Sequence, residues 1–128
     1  MALAVMLFGL NVAPLLDAIE MVESERGKTS DNLYQIEQVY LDDLTRIYNR
    51  IYAQSIVFDR EASRRAILDY WKFYGDRYSK KTGNPVTLEV LARIHNGGPN
   101  GAQMYSTKLY WRKVKAELEA ELEKEDVA

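Results

Sequence analysis

A chain of 128 residues with 47% hydrophobic and 28% charged content fits one domain with a single core, and excludes a membrane-embedded body. Its net charge of −2 gives no broad nucleic-acid-binding surface. The absence of cysteine excludes disulfides, thiolate metal sites and cysteine nucleophiles, and the single histidine leaves too few ligands for a structural zinc site.

Residues 1–16 carry no charge and are mostly apolar. They are short for a membrane span, which needs about 20 residues. They also lack the basic start and small-residue cleavage site of a secretory signal, because the first basic residue is Arg26. A buried helix, a poor export signal and a trimmed terminus all remain open for this apolar segment (1–13), and the buried helix is the expectation. A first amphipathic helix is predicted from Pro14, a good first-turn residue, to Glu25. Gly27 to Tyr34 is polar and turn-like, with room for no more than a small hairpin.

The second helix is expected over 36–53, with Ile36, Tyr40, Leu44, Ile47, Tyr48 and Ile51 on one stripe that Val39 widens. A third over 61–81, capped by Asp59, places Ile67, Tyr70, Trp71, Tyr74 and Tyr78 on one face. Basic residues gather along it at Arg60, Arg64, Arg65, Lys72, Arg77, Lys80 and Lys81. A solvated face is the simpler reading, and attraction to an anionic glycan or cell wall is the other. A fourth helix is expected from Thr87 to His95, burying Val90, Leu91 and Ile94. The last runs from Thr107 to Glu123, with Trp111, Val114, Leu118 and Leu122 inward, and the tail 117–128 is acidic. Nothing divides the chain, so 1–128 reads as one compact, mainly α domain of about five helices.

Two features stand out as chemistry. The segment Ala92-Arg93-Ile94-His95-Asn96-Gly97-Gly98-Pro99-Asn100-Gly101 runs from a helix into a loop of unusual backbone demands and carries the lone histidine. As a plain helix cap it would place Asn96 or Gly97 in left-handed geometry. The other feature is Glu23. With Leu15 at zero on a helical wheel, Ile19 projects near ~40°, Glu23 near ~80° and Leu16 near ~100°. Glu23 therefore sits inside the apolar stripe, at the end where the helix dipole disfavours an anion. A carboxylate there is costly unless it is paired, for instance with Arg93, or used.

The His95 segment, followed by Ser106-Thr107-Lys108-Leu109-Tyr110-Trp111-Arg112-Lys113-Val114, resembles the C-terminal signature of the invertebrate-type lysozyme (destabilase) family, and most of all its cysteine-free bacterial and phage-like branch. The likeness extends through Tyr70-Trp71-Lys72-Phe73-Tyr74-Gly75 and Gly83-Asn84-Pro85-Val86-Thr87. It is weaker at Ala18 to Ser24 and at Tyr34-Gln35-Ile36. About the last third matches strongly and the first half in skeleton only.

The resemblance implies an α+β lysozyme-like fold with a reduced β-hairpin, and a muramidase that cleaves the β-1,4 bond between N-acetylmuramic acid and N-acetylglucosamine in peptidoglycan. It implies no cofactor and no metal, and an extracellular, periplasmic or virion-associated setting. Val22-Glu23-Ser24 resembles the family segment whose Glu is the general acid. The family's second carboxylate is an Asp between that Glu and the Gln-Ile pair. Here the interval is shortened, lacks the usual glycine, and leaves Asp31 as the better candidate over Glu25, with an Asx-turn role equally open. Tyr34, Gln35, His95, Asn96 and Gly97 match the family's cleft, and Tyr105 and Tyr110 are candidates for sugar stacking. The shortened interval also supports the alternative of a catalytically inactive module that binds glycan or serves in structure or interaction.

Overall fold

The computed structural model describes residues 3–28 and 31–127. A two-stranded antiparallel hairpin, β1 (Met6–Leu7) and β2 (Leu10–Asn11), precedes helices α1 (Ala13–Glu23), α2 (Gln38–Tyr48), α3 (Arg60–Thr82), α4 (Leu88–Gly97) and α5 (Thr107–Val127). Short 3-10 turns at Gln54–Phe58 and Gly101–Gln103 complete a mainly α domain.

The apolar N-terminus is thus a hairpin, not the expected buried helix. Phe8 and Gly9 both take positive φ (54° and 75°), the two-residue turn whose twist suits paired strands. The pairing sets Met6 opposite Asn11 and Leu7 opposite Leu10. The Phe8 ring then lies on α3 at Gly75, where an added Cβ would come within 2.6 Å of it. Among the described residues no strand forms between α1 and α2 and the small hairpin lies before α1; residues 29–30 of the predicted turn-like segment lie outside the described residues.

Helix ends follow local chemistry. The Asp59 carboxylate accepts from the Ala62 amide at 3.0 Å to start α3, and Thr87 Oγ1 accepts from the Val90 amide at 3.2 Å to start α4. α2 is shorter than its stripe suggests because Asn49 turns left-handed (φ 51°) and ends it; Ile51 is left exposed beyond it. Val39 and Leu122, expected inward, are exposed too.

The core runs from Leu15, Leu16 and Ile19 of α1 to Val114 and Leu118 of α5, and through Leu91 and Ile94 of α4 to Ile67 and Trp71 of α3. On α3 the basic run is partly tied down: Arg60 and Arg64 bind Asp17 and Glu20, and Lys80 binds Asp76 at 2.8 Å. Among the described residues, no helix is long and apolar enough to cross a membrane.

Candidate active site

A groove of about 1070 Å³ opens between the end of α1, the start of α2, the middle of α3 and the loop after α4. Glu23, Gln35, Tyr40, Asp43, Tyr70, Tyr74, Arg77, His95 and the run Asn96 to Asn100 line it, with Glu37, Val39, Asp42 and Arg46 along its edge.

Glu23 is the last residue of α1. The chain reverses directly after it: Glu25, Arg26 and Gly27 all take positive φ, and the buried Ser24 hydroxyl accepts from the Gly27 amide at 3.0 Å. The Glu23 side chain is only 17% exposed, and its Oε2 lies 3.5 Å from His95 Nε2. Arg93, the alternative partner, is engaged elsewhere. Its guanidinium donates at 2.8 Å to each of Glu89, Thr107 Oγ1 and the Met104 carbonyl.

His95 is buried near the end of α4 and bonded through both ring nitrogens. Nε2 is 2.9 Å from the Tyr34 carbonyl, which can only accept, so in the neutral ring the proton sits on Nε2. Nδ1 is then the acceptor, and the Tyr40 hydroxyl donates to it at 3.2 Å. Burial, followed by Tyr70, Tyr110 and Glu23, drives the Tyr40 phenol well above its usual range, so it stays a donor.

The floor is aromatic. Tyr40 stacks on Tyr70 with centroids 3.7 Å apart, and Tyr74 follows at 4.8 Å. At that end the Tyr74 hydroxyl and Arg46 both donate to Asp43, whose side chain is 19% exposed, and the Arg77 guanidinium lies 5.8 Å above the Tyr74 ring. Burial and then Asp43 push the Tyr74 phenol up to about 12.

The far wall is built by glycines. Gly98 carries the left-handed φ (84°) that Asn96 or Gly97 was expected to take, and its amide donates to the Ile94 carbonyl at 2.8 Å. At Gly101 a Cβ would stand 2.0 Å from the Arg93 carbonyl, so only glycine lets the loop pass that close.

Of the residues singled out from the sequence, Glu23, Gln35, His95, Asn96 and Gly97 share the groove. Gln35 gets there through a strained left-handed φ (51°), set up by Asn32, whose side chain closes on both the amide and carbonyl of Ile36 at 2.8 Å. Three others lie elsewhere. Asp31 is exposed and does not line the groove. The Tyr34 ring is fully buried, its hydroxyl donating to Glu20 and accepting from Arg64, so only its carbonyl reaches the site. Tyr105 is 84% exposed outside the groove, beneath the Lys108 ammonium.

The residues missed were Tyr40, Asp43 and Arg46 at i, i+3, i+6 on α2, and Tyr70, Tyr74 and Arg77 at i, i+4, i+7 on α3. Each set is an apolar stripe turning polar along one face, which was the available signal. Among the described residues, no three His, Asp or Glu side chains gather so as to hold a metal ion.

A mainly helical domain with this groove has the lysozyme-like architecture. The chain is 31% identical over 90 residues to a lysozyme of Meretrix lusoria, covering 70% of this chain and 69% of the relative. It is 33% identical over 85 residues to the invertebrate-type lysozyme of Ruditapes philippinarum, covering 66% and 58%. A shorter match to lysozyme 1 of Crassostrea virginica is 46% identical over 44 residues, 34% of this chain and 24% of that relative. This chain therefore belongs to the invertebrate-type lysozyme family. The match to the oyster protein spans only about a quarter of that protein's length. No family model matches the chain.

Proposed function

We propose that this domain is a muramidase that hydrolyses the β-1,4 bond of peptidoglycan, with Glu23 as the proton donor. The observation that carries the reading is the placement of Glu23 in the groove, a mostly buried carboxyl on a helix end against His95. Glycoside cleavage needs a carboxylic acid that gives its proton to the leaving oxygen, and Glu23 is the mostly buried carboxyl that the groove offers for that role. Gln35, Asn96 and the loop amides supply hydrogen bonds to sugar hydroxyls and N-acetyl groups, and the tyrosine floor supplies stacking area.

The second carboxylate comes from inside the groove. Glu37, Asp42 and Asp43 line it and Asp31 does not. Asp43 accepts from both the Tyr74 hydroxyl and Arg46, whereas Asp42 accepts from Gln38 alone, so Asp43 is the more firmly held. Asp31 remains the candidate supported by the resemblance alone. The cysteine-free composition fits a bacterial or phage setting with action at the cell wall.

Turbidity clearing of peptidoglycan by wild type and Glu23→Gln, from about pH 4 to 8, tests this. Clearing by the wild type and its loss in the variant is expected. No clearing by folded wild type sinks the enzyme reading. It would leave a glycan-binding module, the reading that the displaced Asp31 favours. Equal clearing by the variant removes Glu23 as the acid.

A further inference from the structure

Two guanidiniums line the groove, and only one of them is spent. Arg46 is held by Asp43. Arg77 is exposed and enters no ion pair within 4.0 Å among the described residues. The carboxylates beside it are taken. Asp76, its neighbour in the chain, pairs with Lys80 at 2.8 Å, and Asp43 accepts from Arg46 and from the hydroxyl of Tyr74, the ring that Arg77 covers.

A line of contacts leads from the acid to this cation. Glu23 Oε2 meets His95 Nε2, and Tyr40 holds His95 Nδ1. The Tyr40 ring stacks on Tyr70, Tyr74 follows, and the Arg77 guanidinium covers Tyr74 at 5.8 Å. Tyr74 is buried and tethered to Asp43 by its hydroxyl, so Arg77 rests on a fixed ring at the end of the aromatic floor. It stands roughly 10 Å along α3 from Tyr70, away from the Glu23 end. Glu37 and Asp42 also line the groove without an ion pair among the described residues, and their charges repel an anion. A negative group therefore gains in this groove at Arg77.

We propose that Arg77 is a specificity-determining residue for an anionic substituent of the glycan: its guanidinium pairs with a carboxylate carried on N-acetylmuramic acid, from the lactyl group or from the peptide attached to it. The planar fork suits a carboxylate through two parallel hydrogen bonds, and a chain of N-acetylglucosamine alone offers no such group. The choice of ligand rests on the reading of the groove as a peptidoglycan site. The pairing itself needs no catalysis, and an exposed pair of this kind is modest in strength and screened by salt.

The test is the binding of three disaccharides, followed by amide chemical shifts in wild type, Arg77→Gln and Arg77→Lys. The probes are neutral di-N-acetylchitobiose, N-acetylglucosaminyl-N-acetylmuramic acid with its free lactyl carboxylate, and the same disaccharide with that carboxylate amide-linked to a dipeptide ending in one carboxylate. Wild type is expected to bind at least one carboxylated probe about fivefold tighter than the neutral one at low salt, and the preferred probe names the source of the carboxylate. The preference should vanish in Arg77→Gln, fall between in Arg77→Lys, and shrink at about 0.5 M salt. Affinity for the neutral probe and the melting temperature should stay at their wild-type values in both variants. A wild type without preference, or a preference kept in Arg77→Gln, overturns the proposal. Loss of the neutral probe together with the preference overturns it as well, since Arg77 would then serve the shape of the groove. A preference without wall clearing sinks the muramidase reading alone, and clearing without a preference sinks this proposal alone.

Discussion

Glu23 and His95 meet across the groove at 3.5 Å, carboxylate oxygen to Nε2, although they belong to helices 72 positions apart in the chain (95 against 23). The contact exists because His95 is itself fixed from both sides by Tyr34 and Tyr40. His95→Ala would strand the Tyr34 carbonyl and the Tyr40 hydroxyl and open a void. Its expected cost is about 2–4 kcal/mol in urea unfolding, with clearing activity reduced well beyond that loss of fold. His95→Gln, which restores a donor and an acceptor, should recover part of the stability. Equal stability of the alanine variant and wild type would contradict the bonding described.

The choice of second carboxylate separates cleanly by substitution. Asp43→Asn is expected to lower clearing at least tenfold, a low value for an essential carboxylate, while Asp31→Asn leaves it within about twofold. The reverse result would return the role to Asp31.

Gly101→Ala should destabilise by about 3 kcal/mol or more, at the upper end for overpacking, because the new Cβ meets the backbone carbonyl of Arg93 and not a flexible side chain. A chemical denaturation midpoint equal to wild type would show that the loop has room.

Acid sensitivity is expected to run through Glu20. Burial pushes its carboxyl up, but the Tyr34 hydroxyl, the Arg60 hydrogen bond and the charges of Arg60 and Arg64 together outweigh it and hold the group below its usual 4.5. Its folded value is depressed, so its contribution to stability is present above 4.5 and is lost as pH falls through the folded value. Melting temperature measured against pH should therefore drop below that point, and Glu20→Gln should flatten the drop. An identical acid limb in the variant would remove Glu20 as the cause.

The helices were legible because their stripes and caps are local: Asp59 and Thr87 act on neighbours within a turn. Glu23 was legible for the same reason, as a carboxyl projecting among Leu16 and Ile19. The hairpin was not, since an uncharged apolar run has no period that separates strand from helix, and only the left-handed pair Phe8-Gly9 decides it. Nor was the aromatic floor. Tyr40 and Tyr70 each read as core from their own helix, and only the packing of α2 on α3 turns their stack toward the groove. Tyr34 was misread for a related reason: its motif position says where its backbone lies, and the ring goes to Glu20 and Arg64 on the other side.

The bonds that hold His95 reach back 61 residues to Tyr34 and 55 to Tyr40. No short fragment contains both halves of the site, and no single helix can preorganise it. Contacts of such sequence separation form late, after local helices that need only microseconds. Assembly of the groove is therefore a clock for the completion of topology: in refolding from urea, helical ellipticity should return first, and the near-ultraviolet signal of the stacked Tyr40 and Tyr70 only with the last long-range closure.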